Sequence, residues 1–322
     1  MKKVAIIGAG PAGLFAAYKL ATEAQDKINV KVIDGGGTID QRIQHKDVLR
    51  GIGGGGLMSD GKLNFDIRIG NNLGEILTPG ENERLTLEVE NIFKTFGVIE
   101  SELDSIEARV LERKAMQYGI EFVYSKSGHI GTDKLIPLIK NFQSSLESRG
   151  VEFICNNEVK SLDEIDSEQF ILAPGRVGGS SRWMEDILTA NKIPYSYRPV
   201  DIGVRIEVPS IITDPITNIS RDMKCYIRTK TYQDRVRTFC TCPNGFVGQE
   251  SHNGFKTVNG HSESGKSTKN TNFALLVTVE LTEPLTNSNQ FARNISSAFY
   301  DLSGGKTLAQ RKYTKSFSGC RG

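Results

Sequence analysis

The chain has neither a long hydrophobic segment nor a large excess of one charge. Its clean apolar runs, 4–7 and 273–279, are far shorter than the ~18 residues that a membrane-spanning helix needs. Forty Lys and Arg residues nearly balance 38 Asp and Glu residues, so the formal net charge is only +2. Such a weak field does not indicate binding to nucleic acid or to an anionic membrane. We therefore expect a small-molecule substrate, with no nucleic-acid or membrane partner.

Cysteine is also scarce, with five residues at positions 155, 225, 240, 242 and 320. An odd number of scattered cysteines is more typical of reduced thiols than of a disulfide framework. The basic start of the chain is not followed by the apolar segment of a secretion signal, because glycines interrupt it from Gly8 onward. We expect a cytoplasmic protein. The sequence does not indicate its oligomeric state.

Glycine, by contrast, is abundant. The chain has 33 glycines in 322 residues, more than the average share of ~7%. They are concentrated in clusters, which are typical of tight turns and of places where the backbone closely approaches a ligand or another segment.

The first glycine cluster lies inside a strand, loop, helix, strand pattern. Residues 3–7 and 29–33 are short β-branched apolar runs, and residues 14–24 have helical apolar spacing. A connection of this size implies a parallel βαβ unit. Between them, the segment Gly8-Ala9-Gly10-Pro11-Ala12-Gly13 matches G-x-G-x-x-G.

This spacing has a physical meaning at a helix N-terminus, where unpaired amides and the helix dipole attract a pyrophosphate. Gly8 permits the turn, Gly10 lets the phosphate come close, and Gly13 lets helix and strand pack. Asp34 ends the second strand and follows Gly13 by 21 residues, close to the ~20-residue spacing of an acid that binds an adenosine ribose. The pattern predicts binding of the ADP part of FAD or NAD. The alternative is a glycine turn with a helix-capping aspartate nearby.

The remaining elements predict an α/β fold: a Rossmann-like FAD/NAD(P)-binding βαβ sheet with a helical excursion and a second β-rich domain. Residues 35–62 look irregular throughout, and residues 80–118 look like two amphipathic helices. The α/β pattern resumes at 121, whereas short β-rich segments follow 195. We expect an FAD-binding domain at 1–194 and a substrate domain at 195–322 that is incomplete at its C-terminus. Within the latter, 251–272 is predicted to be a long polar loop and 289–302 a helix.

Five motifs occur in order along the chain and carry a family resemblance. They are Gly53-Gly54-Gly55-Gly56-Leu57-Met58-Ser59-Asp60-Gly61-Lys62-Leu63, His129-Ile130-Gly131-Thr132-Asp133, Leu172-Ala173-Pro174-Gly175-Arg176, Cys240-Thr241-Cys242-Pro243 and Asn272-Phe273-Ala274-Leu275-Leu276-Val277. Together they resemble a family of largely uncharacterised FAD-dependent dehydrogenases, flavoproteins with the glutathione-reductase type of FAD fold. Members of that family are usually longer and end in a flavin-holding segment, which is not found before Gly322.

The resemblance implies FAD as cofactor, with NAD(P)H as a candidate electron donor. It places Ser59 to Lys62 near the isoalloxazine, the backbone of Val159 against the adenine, and Arg42 near the ribose acid. For Arg42 and Lys62 the alternative is an ordinary solvated cation. The full set of expected cofactor contacts is Gly8, Gly10, Pro11, Ala12, Gly13, Asp34, Gly35, Arg42, Gly54, Gly55, Ser59, Asp60, Gly61, Lys62, Val159, Ala173, Pro174 and Gly175.

Two further motifs compete with this interpretation. Residues 260–267 satisfy the phosphate-loop pattern G-x-x-x-x-G-K-S, but no buried strand precedes them and no helix follows, so we do not predict ATP or GTP chemistry. Cys240 and Cys242 should point to the same face of a strand. They are interpreted as structural cysteines, as a flavin-linked or substrate-facing thiol pair, or as a metal site with Cys225 or His252; we predict no metal.

The resulting hypothesis is an FAD-dependent oxidoreductase, with Lys62, Cys240 and Cys242 as candidate catalytic residues and an unknown small-molecule substrate. One alternative is a truncated nucleotide-binding module without turnover. Another is an NAD(P)-dependent enzyme without flavin.

Overall fold

The computed structural model of the chain describes residues 1–24, 27–70, 73–98, 105–125, 127–175, 182–252, 255–263, 265 and 267–306. Arg176, Lys266 and Cys320, which belong to segments discussed above, lie outside these residues. The fold is α/β, with a parallel sheet and a separate antiparallel β-rich region, as predicted.

The parallel sheet has four strands in the order β6-β2-β1-β7. These are β1 (Lys2–Ile7), β2 (Ile28–Ile33), β6 (Glu152–Ile154) and β7 (Gln169–Leu172). Helix α1 (Pro11–Glu23) connects β1 to β2, which confirms the βαβ unit expected around the first glycine cluster.

Both faces of this sheet are buried, which explains why β1 and β2 are apolar along most of their length. On one face, Ile6 and Leu14 pack with Phe142 of α5 (Thr132–Glu147). On the other face, Ala5 packs with Trp183 of α6 (Trp183–Ala190).

The helical excursion consists of α3 (Pro79–Thr95) and α4 (Ile106–Met116), in agreement with the amphipathic spacing. The Thr78 side chain accepts a hydrogen bond from the Glu81 amide, and the Glu81 carboxylate accepts one from the Thr78 amide. This capping box fixes where α3 begins.

The prediction that 35–62 is irregular throughout is wrong. This segment contains helix α2 (Ile39–His45) and a short 3-10 turn at Gly54–Gly56, and Lys62 begins strand β3 (Lys62–Asn64). Strand β3 pairs with β5 (Ser127–His129). A second capping box, Thr38 with Gln41, starts α2 and was overlooked because the surrounding glycines dominate the composition.

The β-rich region is an antiparallel sheet in the order β4-β9-β10-β13-β8. Its strands are β4 (Glu121–Phe122), β8 (Val200–Pro209), β9 (Cys225–Arg228), β10 (Arg235–Cys242) and β13 (Asn270–Val279). Strand β4 comes from the N-terminal half of the chain and pairs with β9. The two halves are therefore joined by backbone hydrogen bonds as well as by side chains.

The prediction of one long loop at 251–272 is also wrong. Strands β11 (Phe246–His252) and β12 (Phe255–His261) form a hairpin that extends into it. Helix α7 (Ser210–Thr217) follows β8, and α8 (Ser288–Leu302) forms where a last helix was predicted. No helix within the described ranges is long and apolar enough to cross a membrane.

Candidate functional site

Most of the predicted site residues fall into two groups. We call residues 8–13, 34–37 and 51–56 the glycine centre, and Asp60, Lys62, Asp222, Cys240 and Cys242 the thiol centre.

In the glycine centre, Gly8 and Gly13 are required by the packing of the protein itself. Gly8 has a φ of +111°, and a Cβ there would lie 2.2 Å from the carbonyl oxygen of Ala173. A Cβ on Gly13 would lie 1.9 Å from the carbonyl oxygen of Gly8. Any larger residue would therefore separate β1 from the 173–174 turn or from α1.

Gly10 differs from these two glycines. Its φ of −74° is open to any residue, and a Cβ would meet only the Gly54 Cα atom at 3.9 Å, an ordinary contact. Gly10 is the N-cap of α1, where no side chain caps the helix, and Pro11 follows it. Neither backbone conformation nor packing explains glycine at this position.

Asp34 connects three glycine segments through its carboxylate. Its Oδ2 atom accepts a hydrogen bond from the Ala9 amide at 2.8 Å, and its Oδ1 atom accepts from the Gly36 and Gly51 amides at 2.7 and 3.0 Å. The acid predicted to bind a ribose therefore also determines the shape of the loops around it.

Arg42 holds the second glycine run. It is only 1% exposed, and its guanidinium donates to the carbonyl oxygens of Asp47, Ile52 and Gly54. Burial lowers the pKa of Arg42 from its ordinary value. The alternative of a solvated cation is therefore wrong for Arg42, because its side chain is consumed by backbone carbonyls inside the protein.

The two glycine runs lie against each other. The Gly53 amide donates to the Ala9 carbonyl at 2.8 Å, and a Cβ on Gly54 would lie 2.9 Å from the Gly10 Cα atom. Glycine at position 54 thus allows the backbone to approach Gly10 of the same chain closely.

The other residues expected near a cofactor surround these loops or connect them to the thiol centre. The Val159 carbonyl accepts a hydrogen bond from the Trp183 indole. Ser59 Oγ donates to the Gly56 carbonyl, and Gly61 lies against the backbone of Gly131. Gly35 lies near Arg50 and Glu158, a Cβ on Gly55 would meet only Leu49, and Gly175 has a φ of +66°.

The thiol centre forms where β3 of the N-terminal half meets β10 of the β-rich sheet. Lys62 Nζ lies 3.2 Å from Asp60 Oδ2 and 3.1 Å from Asp222 Oδ1, and it donates to the Thr241 carbonyl at 3.1 Å. The Lys62 side chain is 6% exposed. Lys62 is therefore not the solvated cation of the alternative interpretation.

Charge pairing keeps these buried groups ionised. Burial acts to lower the pKa of Lys62, but Asp222 and Asp60 raise it above its ordinary value. Burial acts to raise the pKa of Asp60, which Lys62 nevertheless holds below its ordinary range. The pKa of Asp222 is held below its ordinary value in the same way, by Lys62 and Lys224. The Nζ atom of Lys224 lies 2.6 Å from Asp222 Oδ2.

Both cysteines face the Asp60 carboxylate, but not through regular strand alternation. Cys240 Sγ lies 3.2 Å and Cys242 Sγ 3.9 Å from Asp60 Oδ2. The register of β10 against β13 shifts between Phe239 and Cys242, and Cys240 has a φ of +49°. A β-bulge therefore directs the two thiols to one carboxylate, where the sequence analysis assumed a flat strand.

Among the residues that the structure describes, Asp60, Cys240 and Cys242 form one group with the atom types of a metal site. Their carboxylate oxygen and two sulfur atoms all lie within 4.8 Å of one another. Cys225, one of the partners considered from the sequence, is not part of it. The Lys62 ammonium already lies 3.2 Å from the carboxylate oxygen that a cation would use. This charge arrangement does not favour a metal at the thiol centre.

Several residues of this region were missed in the sequence. Asp222 and Lys224 lie about 160 residues from Lys62 along the chain, and Arg205 donates to the Cys240 carbonyl at 3.2 Å. His129 pairs with Lys62 across β3 and β5, and burial lowers its pKa to about 4. No local spacing rule connects such distant positions.

The phosphate-loop match does not have the structure its chemistry needs. Gly260 and His261 lie within β12, and the described residues 267–269 lead into strand β13. A working phosphate loop is followed directly by a helix.

Comparison with known proteins shows similarity in the C-terminal part of the chain. Residues 199–321 match a family model described as "FAD-dependent protein, C-terminal domain-like". A curated relative from Clostridium beijerinckii, an uncharacterized protein, is 26% identical over 94% of this chain. The chain spans 57% of that relative's length. The resemblance to an FAD-dependent family is thereby confirmed.

Solved structures show weaker similarity. An oxidoreductase from Methanosarcina mazei is 11% identical with a TM-score of 0.37, over 94% of this chain and 84% of its own. A tryptophan 6-halogenase from Streptomyces toxytricini is 12% identical with a TM-score of 0.35, over 93% of this chain and 60% of its own. TM-scores below 0.5 do not establish a common overall architecture.

Proposed function

We propose that this chain, which carries the C-terminal region of an FAD-dependent protein family, binds FAD and acts as a dehydrogenase-type oxidoreductase on a small molecule. Residues 199–321 supply the family match, and the N-terminal half supplies the glycine centre. In this proposal residues 1–194 are the FAD-binding domain and the β-rich part from residue 195 is the substrate domain.

The observation that carries the proposal is Gly10. Gly8 and Gly13 are explained by contacts within the protein, but Gly10 has room for a Cβ and an ordinary backbone conformation. It lies at the uncapped N-terminus of α1, where the helix dipole and free amides favour a pyrophosphate. Glycine at this position is accounted for if a phosphate approaches the backbone more closely than a side chain would allow.

The residues present fit the ADP part of FAD. In this proposal the backbone of Gly10, Ala12 and Gly13 holds the pyrophosphate, next to Pro11. Asp34 Oδ2, which accepts one amide hydrogen bond in the structure, accepts a second from the ribose. A carboxylate oxygen has two lone-pair directions, so the two bonds are compatible. Arg42 acts through the carbonyls that it holds at Ile52 and Gly54.

Bound FAD would supply two-electron chemistry, while the protein supplies position and electrostatics. Segment 59–62 leads directly from the glycine centre to the thiol centre. In this proposal its residues Ser59 to Lys62 would hold the isoalloxazine end of FAD. Lys62 is held charged between two carboxylates and would provide a fixed positive charge beside the reacting groups. Its ammonium is fully engaged, so its proposed role is electrostatic rather than that of a general base.

Calorimetric titration of the purified chain with FAD, NAD and NADP tests the cofactor. We expect saturable 1:1 binding of FAD, with the shifted flavin absorbance bands of a protein-bound ring, and weaker binding of both nicotinamide nucleotides. Tight NAD or NADP binding with no FAD binding would support an NAD(P)-dependent enzyme without flavin and contradict the proposal.

A second candidate is nucleotide binding without turnover. It predicts that FAD binds but is not reduced when NADH or NADPH is added without oxygen. Rapid bleaching of the bound flavin would exclude this candidate and would also support the nicotinamide nucleotide as electron donor.

A further inference from the structure

Cys240 and Cys242 form an asymmetric pair of thiols. Their sulfur atoms lie within 4.8 Å of each other, and no disulfide joins them. Cys242 is 1% exposed, whereas Cys240 is partly exposed. Solvent therefore reaches part of residue Cys240, whereas Cys242 is enclosed.

The backbone brings these thiols together at a cost. Alternate residues of a regular strand are separated by about 6.6 Å, at ~3.3 Å per residue. Here Cys240 adopts a φ of +49° and the strand bulges before Cys242. A left-handed conformation at a residue other than glycine is energetically unfavourable and is concentrated at functional sites. A purely structural pair of strand cysteines does not require it.

The surroundings favour a reactive Cys240. A hydrogen bond from the Cys242 thiol lowers the pKa of Cys240, and the positive charges of Lys62 and Arg205 act in the same direction. Burial and the negative charge of Asp60 oppose this, but the pKa of Cys240 stays below its ordinary value. The pKa of Cys242 is raised above its ordinary value by the same hydrogen bond and by burial. Asp60 Oδ2 lies 3.9 Å from Cys242 Sγ, close to where a proton leaving Cys242 would go.

We propose that Cys240 and Cys242 are a redox-active dithiol that reduces a low-molecular-weight disulfide, with Cys240 as the attacking thiol and Cys242 as the resolving thiol. A small disulfide fits because Cys240 is only partly exposed and lies beside the buried Asp60 and Lys62. The reaction needs no flavin, so it is independent of the function proposed above.

The reaction balances in two steps. Cys240 passes its proton to Asp60, which its thiol contacts at 3.2 Å, and the thiolate attacks one sulfur of the disulfide. The S–S bond breaks, and one thiolate leaves and takes that proton from Asp60. Cys242 then passes its proton to Asp60 and attacks the Cys240 sulfur of the mixed disulfide. The second thiolate leaves and takes that proton from Asp60. Two electrons and two protons pass to the disulfide, which becomes two thiols, and a Cys240–Cys242 disulfide remains.

Mass spectrometry of the reduced full chain after exposure to oxidised glutathione tests this directly. The tryptic peptide 238–256 contains both cysteines and no others. We expect it to lose two hydrogen atoms while two glutathione thiols appear per chain, and to regain the hydrogens with a dithiol reductant. Peptide 238–256 unchanged, or carrying a stable glutathione adduct in the wild-type chain, would overturn the proposal.

Three variants separate the roles of the thiols. Cys242→Ser should accumulate the glutathione adduct at Cys240, and Cys240→Ser should slow reaction at this peptide by at least tenfold. Cys225→Ser is the matched control, because Cys225 is a neighbouring strand cysteine whose pKa burial raises to about 11; it should behave as wild type. If peptide 238–256 reacted equally fast in Cys240→Ser and in wild type, Cys240 would not be the attacking thiol. If a variant does not fold, the peptide map of the wild-type chain still tests whether the two cysteines form a disulfide.

Discussion

The glycine centre and the thiol centre are built in opposite ways. In the glycine centre, Asp34 bonds to amides 25, 2 and 17 residues away, and the critical contacts are between backbone atoms. In the thiol centre, Lys62 and Asp60 reach residues 179 to 182 positions away, and the critical contacts are between charged or sulfur-bearing side chains. The glycine centre should therefore be most sensitive to substitutions that add a side chain, and the thiol centre to substitutions that remove a charge.

Added bulk at Gly8 should have the largest effect on stability. In Gly8→Ala the new methyl would lie 2.2 Å from the Ala173 carbonyl oxygen at a φ of +111°. We expect the free energy of unfolding to fall by at least about 3 kcal/mol, since strain and overpacking add. Urea denaturation measures it.

Gly80→Ala is the control for this prediction, because a Cβ at Gly80 in α3 meets nothing within 4 Å. It should leave stability unchanged or raise it by up to about 1 kcal/mol. A Gly8→Ala chain as stable as Gly80→Ala would show that the glycine centre is not held by backbone packing.

Removed charge at Lys62 should have a comparable effect. Lys62→Met leaves Asp60 without its ammonium partner and Asp222 with Lys224 alone, both buried. Breaking such a buried pair costs about 3–5 kcal/mol, measured by urea denaturation. Adding Asp60→Asn to Lys62→Met should recover part of the loss, because it removes the unpaired charge.

Lys140→Met tests the same change at the surface, where Lys140 pairs with Asp40 at 2.6 Å and both side chains are largely exposed. It should cost less than about 1 kcal/mol. Equal costs for the two lysine variants would contradict the buried-charge account of the thiol centre.

A smaller effect on the free energy of unfolding is expected at Arg42. Both kinds of contact occur there, since a charged side chain bonds to backbone carbonyls. Arg42→Met should lower the free energy of unfolding by about 2–3 kcal/mol, as its charged hydrogen bonds are lost in a buried setting. It should also weaken FAD binding, because the 51–54 carbonyls lose their positions. Arg84→Met, with a side chain 67% exposed, is the control and should change neither quantity.

The last effect concerns how the free energy of unfolding depends on pH. His129 has its pKa lowered to about 4 in the folded chain by burial and by Arg221, from an ordinary 6.5. Between pH 6.5 and 4 the unfolded chain therefore binds more protons, so stability falls as pH falls. His129→Gln should flatten this part of the stability curve. His261, whose pKa burial also lowers, leaves a residual slope. If the free energy of unfolding varied with pH in the same way in His129→Gln and in wild type, His129 would not be the source of this pH dependence.

The same contrast explains what sequence reasoning could predict. Gly8, Gly10, Gly13 and Asp34 lie within a single βαβ unit, where spacing reflects fixed strand and helix geometry, so the fold around them was predictable. The Thr38 capping box was present in the sequence and was overlooked. The Lys62–Asp222 pair depends on how β3 meets the β-rich sheet, and the orientation of Cys240 depends on a bulge. No local pattern specifies either feature.

The measurement that tests the central claim most directly is FAD binding to Gly10→Ala, compared with wild type by calorimetry. The alanine Cβ makes only an ordinary contact, and alanine at this N-cap should cost at most about 1 kcal/mol of stability. The account predicts a variant that folds as wild type does but binds FAD at least tenfold more weakly, a loss of about 1.4 kcal/mol. Unchanged FAD affinity in a folded Gly10→Ala chain would contradict the proposal that the glycine centre holds the cofactor's pyrophosphate.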